Sequence, residues 1–340
     1  MQAACMDCGS RRKNLEHRCV ECGGLFELLP DFKYMERMES NFPYISEWLS
    51  IGEVVTPIVS RGDLSFKLDY FSPTYSYKDR GARSLLSYLI TESRKSGFHS
   101  INEDSSGNAG AAISAYGSVS GFNVNIFVPE RTSHAKIGQI ASYGANIVKV
   151  PGSREDVQAA AERAEGVYAS HVLMPEFRDG IRTLSYEIFK QYSGDIPDHV
   201  FVPVSAGTLL LGLYSGFKHL LESNEIKRMP GIVAVQTEQV SPLCSRKSGT
   251  DFNPDRKVDS VADALVSMKP PLIVNMMEAV REGSCITVSE EEIISARKDL
   301  SGIGMYVEYS SATVYAAYKK KNFEGKSLLV LTGNGLKNVP

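Results

Sequence analysis

No apolar run in this chain approaches the ~20 residues that a membrane-spanning helix needs, which argues against a bilayer span. Charge of one sign is also scarce. Lys and Arg total 37 against 40 Asp and Glu, a net charge of −3, so nothing here marks a nucleic-acid or anionic-membrane binder. Met1-Gln2-Ala3-Ala4-Cys5 has neither the charged n-region nor the apolar h-region of a secretion signal. The expected location is therefore a reducing cytoplasm, with the six cysteines free or metal-bound rather than disulfide-bonded. No internal repeat or low-complexity segment stands out. Tryptophan occurs once, and Trp48 with Phe42-Pro43-Tyr44 reads as a linker packed onto the body. What remains is an ordinary globular composition, 43% hydrophobic and 23% charged, and 340 residues give room for two domains and a small added module.

Four cysteines lie in residues 1–28. Cys5-x2-Cys8 and Cys19-x2-Cys22 form two knuckles, each followed by glycine. Such turns point two thiolates at one ion, and a pair of them builds a closed tetrahedral zinc site. The expectation is a structural zinc ribbon with no open coordination position. The alternatives are a redox pair, for which no βαβ context is visible, or a ribbon that has lost its metal.

The chain is organised around Ser72-Pro73-Thr74-Tyr75-Ser76-Tyr77-Lys78-Asp79-Arg80-Gly81, a turn running into a helical pattern over 82–93. A half-buried lysine beside another cation is a competent amine nucleophile. The plainer reading is a solvated basic turn. Glu103-Asp104-Ser105-Ser106-Gly107-Asn108-Ala109-Gly110 then opens a small-residue helix, in a pattern that offers N–H groups and hydroxyls to a carboxylate or phosphate. An ordinary helix cap is the alternative. Strands at 124–129 and 147–150, helices at 134–143 and 153–165 and a short strand near 172–174 give a βαβ rhythm and predict a parallel α/β sheet. In Pro175 to Thr183, Arg178 and Arg182 stand as possible anion ligands, or as surface arginines at a helix start over 183–192.

Strand 199–204 runs through Ser205-Ala206-Gly207-Thr208 into an apolar helix, the geometry of a phosphate cup. It is not G-x-x-x-x-G-K-[ST], so a nucleotide P-loop is not expected. Residues 244–275 read as a polar surface excursion, followed by helices at 289–299 and 312–321. The last strand, 327–331, ends at Thr332-Gly333-Asn334-Gly335-Leu336-Lys337. Ligands in open α/β sheets bind outside the carboxyl ends of strands, where Ser205, Thr208 and Thr332 lie.

Four stretches in this order resemble the threonine-synthase group of the fold-type II pyridoxal-phosphate enzymes: S-Y-K-D-R-G (76–81), S-S-G-N-A-G (105–110), F-R-D-G-I-R-T (177–183) and L-T-G-N-G-L-K (331–337). V-E-Y-S-S-A (307–312) and the C-x-x-C leader are similar to further family segments, so the resemblance spans nearly the whole chain. It implies an α/β enzyme with two parallel-sheet domains and the ribbon: 1–28 as the zinc module, 29–85 with 185–340 as the large cofactor-binding domain, and 86–184 as a small inserted domain. It also implies that Lys78 forms the internal aldimine with pyridoxal phosphate. Asn108 would bond the ring hydroxyl, residues Ser205, Ala206, Gly207 and Thr208 would hold the phosphate, and Thr332 would face the pyridine nitrogen. Ser105 and Ser106 would bind a substrate carboxylate, and Arg178 the phosphate of O-phosphohomoserine.

The implied activity is a lyase reaction from O-phosphohomoserine and water to threonine and phosphate, in a cytoplasmic homodimer. Two departures bear on the substrate. The 205–208 loop lacks the family's asparagine, and Tyr77 stands for its usual phenylalanine. A cysteate-synthase-like replacement on O-phosphoserine and a threonine or serine dehydratase share most of these residues. A binding adaptor on a dead enzyme core is disfavoured by Lys78 and by the absence of a basic patch with interleaved aromatics.

Overall fold

Two parallel sheets carry the strand–helix alternation, one in each of the two units of the computed structural model. The structure describes residues 1–132 and 134–338, apart from the side chains of 134–136 and 338. Labels below run in chain order. Of the described residues, the first unit comprises Met1–Glu53 and Lys78–Ile181; the second comprises Val54–Tyr77 and 182–338. The sequence-based division placed its breaks at residues 28/29, 85/86 and 184/185 instead.

In the first unit, β1 (Ala3–Cys5) and β2 (Phe26–Leu28) pair antiparallel as a ribbon. Ala3, Cys5, Cys19, Phe26 and Leu28 give it a small apolar centre. Trp48 packs edge-on against Phe42, 5.4 Å between ring centroids, with Arg83 stacked on its face. The four-stranded sheet has the order β7 (Asn146–Val150), β6 (Asn123–Pro129), β5 (Ser100–Glu103), β8 (Val167–Tyr168), all parallel. Its helices are α1 (Lys78–Ser96), α2 (Asn108–Ser120), α3 (His134–Ser142), α4 (Arg154–Arg163) and α5 (Pro175–Gly180). Helix α1 buries Leu85, Leu86 and Leu89 at helical spacing.

The short strand expected near 172–174 is not there. The edge strand is Val167–Tyr168, in register with Ile101 and Asn102. Residues 172–174 instead form a turn, in which the Ser170 hydroxyl accepts the N–H groups of Val172 and Leu173. Pro175, which cannot donate to a ladder, then opens α5. Leu173 and Met174 are buried in that turn rather than by sheet pairing.

In the second unit the sheet order is β11 (Ser284–Val288), β10 (Gly231–Thr237), β9 (His199–Pro203), β12 (Ser327–Leu331), β4 (Leu64–Leu68), β3 (Ile58–Arg61). Only the β3–β4 pair is antiparallel. Helices α6 (Arg182–Gln191), α7 (Thr208–Glu222), α8 (Pro242–Ser248), α9 (Ile273–Ala279), α10 (Glu290–Gly302) and α11 (Tyr309–Lys320) complete it. The stretch read as a surface excursion is more built than expected: α8 and α9 flank it, and Ala262 and Leu265 enter the main core. Cys244 of α8 and Cys285 of β11 form a disulfide, with Cα atoms 5.1 Å apart. The expectation of cysteines only free or metal-bound therefore fails for these two. They stand 41 positions apart, and it is the packing of α8 on β11 that joins them, which no spacing rule reveals.

Candidate active site

Lys78 is the first residue of α1 and is half-buried. Its ammonium lies over the ring of Phe177, 5.6 Å from the centroid. Phe177, fully buried on α5, also fills the space that a side chain at position 81 would need. A Cβ on Gly81 would collide with that ring. The glycine of K-D-R-G thus lets α5 close against the first turn of α1.

The loop after β5 begins with Glu103, buried at the strand's carboxyl end. Its Oε1 lies 2.6 Å from Nδ1 of His171, and its Oε2 accepts the backbone N–H of His171 at 3.1 Å. Asp104 accepts from Tyr168 Oη at 2.8 Å and pairs with Arg154 at 3.0 Å. Burial pushes the Glu103 carboxyl up to about 7, against the pull of the Arg154 cation. Burial, and then the Lys78 charge, hold His171 well below the ordinary imidazole value. Ser105 and Ser106 follow, partly exposed, and the Ser105 hydroxyl accepts the N–H of Gly107 at 3.3 Å.

Asn108 opens α2 and Thr208 opens α7, each after a glycine N-cap that supplies no side-chain cap. By contrast, α4 and α10 start with complete capping boxes, Ser153 with Asp156 and Ser289 with Glu292. A helix start without a side-chain cap leaves its first N–H groups for an anion. Gly207 has φ +98°, in the left-handed region, and a Cβ there would meet Met276 Sδ at 2.5 Å. The 205–208 turn is thus tight and fixed by its packing. Ser205 Oγ accepts the N–H of Ser267 at 3.3 Å.

Thr332 follows β12, the neighbour of β9, so Thr332 and the 205–208 turn share one edge of their sheet. Ser311 Oγ accepts the N–H of Thr332 at 2.5 Å and that of Gly333 at 3.2 Å. With its lone pairs so used, the Ser311 proton goes to Thr332 Oγ1, 3.2 Å away, and the Thr332 proton is left to point elsewhere. The Thr332 carbonyl accepts the N–H of Tyr77 at 2.9 Å, and Ser76 bridges to Gly333. The backbone at Ser76 and Tyr77 is therefore pinned to the strand end that carries Thr332.

The two arginines of the 175–183 stretch lie elsewhere than an open anion site. Arg178 is buried, with Nη1 donating to the Val172 carbonyl at 3.1 Å and Nη2 to the Phe26 carbonyl. Burial pulls its guanidinium down to about 10. It clamps α5 to β2 of the ribbon. Arg182 is fully buried and donates to Tyr186 Oη at 2.8 Å, which in turn meets His219 Nδ1 at 2.6 Å.

The sulfurs of Cys5, Cys8, Cys19 and Cys22 all lie within 4.8 Å of one another. Cys5–Cys22 and Cys8–Cys22 are 3.4 Å apart and Cys8–Cys19 3.6 Å. Four thiolates around zinc, at Zn–S of about 2.3 Å, stand roughly 3.8 Å apart, so the cluster has the size of such a site and not of disulfides. Sequence reasoning passed over Glu103, His171 and the role of Ser311. The first two are 68 positions apart, and only the Ser-Ser in 310–311 carried any local signal.

Residues 49–333 match the family model described as "Pyridoxal-phosphate dependent enzyme". The threonine synthase of Methanocaldococcus jannaschii is 27% identical over 99% of this chain and 93% of its own length. That of Methanosarcina acetivorans is 26% identical over 93% of this chain and 85% of its own. Among solved structures, a threonine deaminase of T.th. superposes with a TM-score of 0.74 at 21% identity, covering 91% of this chain and all of that one, which speaks to the fold alone. The chain belongs to the pyridoxal-phosphate-dependent enzyme family and within it is threonine-synthase-like.

Proposed function

We propose that this protein is a pyridoxal-phosphate lyase that converts O-phosphohomoserine and water to threonine and phosphate. The observation that carries the reading is Lys78 at the head of α1, directly after Ser76 and Tyr77, whose backbone is pinned to the strand end that carries Thr332, in a chain that aligns with threonine synthases over nearly its full length. The residues fit the cofactor. The turn at Gly207 is closed to any side chain, and α7 begins without a side-chain cap, which suits a phosphate dianion. Pyridoxal phosphate, when bound, supplies an aldehyde for the substrate amine and a ring that accepts electron pairs.

Lys78 is the residue of attachment in this reading, and its amine takes and returns the proton at the substrate Cα. Ser205, Ala206, Gly207 and Thr208 hold the cofactor phosphate, and Asn108 bonds the ring hydroxyl. The Thr332 hydroxyl, aimed by Ser311, meets the ring nitrogen without enforcing a full positive charge there. Ser105 and Ser106 bind the substrate carboxylate. Residues 1–28 form a structural zinc module through Cys5, Cys8, Cys19 and Cys22, next to a large cofactor-binding domain, 29–85 with 185–340, into which a small domain, 86–184, is inserted. The expected assembly is a cytoplasmic homodimer.

One observation favours a second reading. Arg178, the implied substrate-phosphate ligand, has both terminal nitrogens on backbone carbonyls. A dehydratase acting on unphosphorylated threonine or serine needs no such ligand. The cofactor half of the proposal is tested by borohydride reduction and peptide mapping of the yellow holoprotein. The label is expected on Lys78, and a Lys78→Ala protein that still fixes the cofactor covalently would sink the assignment.

A further inference from the structure

The Glu103–His171 pair has the build of a base held ready by a carboxylate. Glu103 has a fully buried side chain and takes both the Nδ1 side of the imidazole and the backbone N–H of the same residue. With Glu103 ionised, that double hold makes Nδ1 the protonated nitrogen and leaves the Nε2 lone pair open. Among the described residues Nε2 makes no hydrogen bond, and the His171 side chain is 13% exposed. Its ring meets the edge of Phe177 at 5.9 Å, and the ammonium of Lys78 lies over that same ring at 5.6 Å. The Lys78 charge acts on both members of the pair.

A cation site formed by Glu103, Asp104 and His171 is the competing use, since their ligand atoms lie within 4.8 Å. The protein already supplies the positive charge there. Arg154 pairs with Asp104 at 3.0 Å, and both Arg154 and Lys78 act against a further cation at His171.

We propose that His171, oriented by Glu103, is a second acid–base group of the Lys78 site. This rests on the reading of Lys78 as the residue of cofactor attachment. When Lys78 carries its proton, the neighbouring cation opposes a proton on Nε2. When Lys78 or the substrate gives one up to His171, the N–H or O–H bond breaks there and Nε2–H forms. The new imidazolium is balanced by the Glu103 carboxylate across Nδ1–H, and the proton returns by the same path. The charged groups facing His171 are Glu103 from β5, Asp104 beside it, Arg154 from α4 and Lys78 from α1.

The test uses the holoenzyme with His171→Asn, whose amide keeps a donor toward Glu103, and Glu103→Gln. The pH profile of kcat/KM, the cofactor's absorbance titration and borohydride labelling are read together. With the label still on Lys78, His171→Asn is expected to lose about 10²–10⁴-fold in kcat and the acidic limb of the profile. Glu103→Gln is expected to move that limb to lower pH, because the imidazolium loses its counter-charge. In the apoprotein, nitrogen chemical shifts of His171 should report Nδ1–H and a bare Nε2. Normal labelling with His171→Asn within about threefold of wild type, its acidic limb intact, overturns the inference alone. So does an Nε2–H tautomer. Should His171→Asn fail to fold, the Glu103→Gln limb and the tautomer decide. Failure of labelling at Lys78 overturns the underlying reading and this inference with it.

Discussion

Arg12 and Glu176 form an ion pair at 2.7 Å, with both side chains almost wholly buried. Among the described residues, Nε of Arg12 and Oε2 of Glu176 have no partner, so neither charge could do without the other. Removing one member of such a pair typically costs about 3–5 kcal/mol, whereas replacing both by apolar residues of similar size can be near neutral. Arg12→Met is therefore expected to lower the urea midpoint strongly, and adding Glu176→Leu to recover much of the loss, as a double-mutant cycle in urea would report. Glu103 gives a pH signature. Its carboxyl lies above its unfolded value, so its contribution is present below the ordinary carboxylate range and is lost as pH rises through about 7. His171 lies below its unfolded value and contributes in the opposite sense as pH falls. In Glu103→Gln the first effect disappears and the second deepens. The Tm of wild type minus that of Glu103→Gln should thus fall between pH 5 and 8, and a flat or rising difference would contradict the burial argument. At this scale the sequence was readable where chemistry lies in a contiguous run, as at Lys78, Ser205–Thr208 and Thr332. It was silent where function is made by distant partners. Nothing near Glu103 names His171, and nothing near Arg178 names the Phe26 carbonyl.

The ribbon and α5 are tied by more than proximity. Arg178 holds the Phe26 carbonyl, Arg12 holds Glu176, and His17 Nε2 lies 2.6 Å from the Tyr168 carbonyl. Helix α5 in turn carries Phe177 against Lys78 and Gly81. About one zinc per chain is expected by metal analysis, falling to none in the Cys5/Cys8/Cys19/Cys22→Ser protein. That protein should lose amide protection over residues 1–28 and also over 175–180. Hydrogen exchange that leaves 175–180 unchanged would show that the clamp does not depend on the metal. Helices and buried strands were legible because their periods are written locally. Helix α1 shows Leu85, Leu86 and Leu89 on one face, and β12 is apolar from Leu328 to Leu331. Strands β5 and β11 escaped notice because Ser100–Glu103 and Ser284–Val288 are short and mix polar residues among the apolar ones. The Val172–Met174 triplet misled because a buried turn and a buried strand ask for the same side chains.

Across the whole molecule, order along the chain reflected the enzyme family better than it reflected the compact units. The motifs run in sequence, yet the units are discontinuous and change over at Tyr77/Lys78 and Ile181/Arg182, inside two of the motifs themselves. No helix of the described residues is long and apolar enough to cross a membrane. The substrate is where sequence and structure pull apart. The similarity to threonine synthases favours a phosphorylated amino acid, while Arg178 has its terminal nitrogens on backbone carbonyls and the loop Ser205–Thr208 lacks the asparagine that the resemblance implies. The direct test is to incubate the purified holoprotein with O-phosphohomoserine, O-phosphoserine, threonine and serine in parallel, assaying phosphate, ammonia and amino-acid products together. The account predicts equimolar phosphate and threonine from O-phosphohomoserine, at a kcat/KM well above that of any other substrate. Ammonia and a 2-oxo acid from threonine or serine, with O-phosphohomoserine untouched, would contradict it.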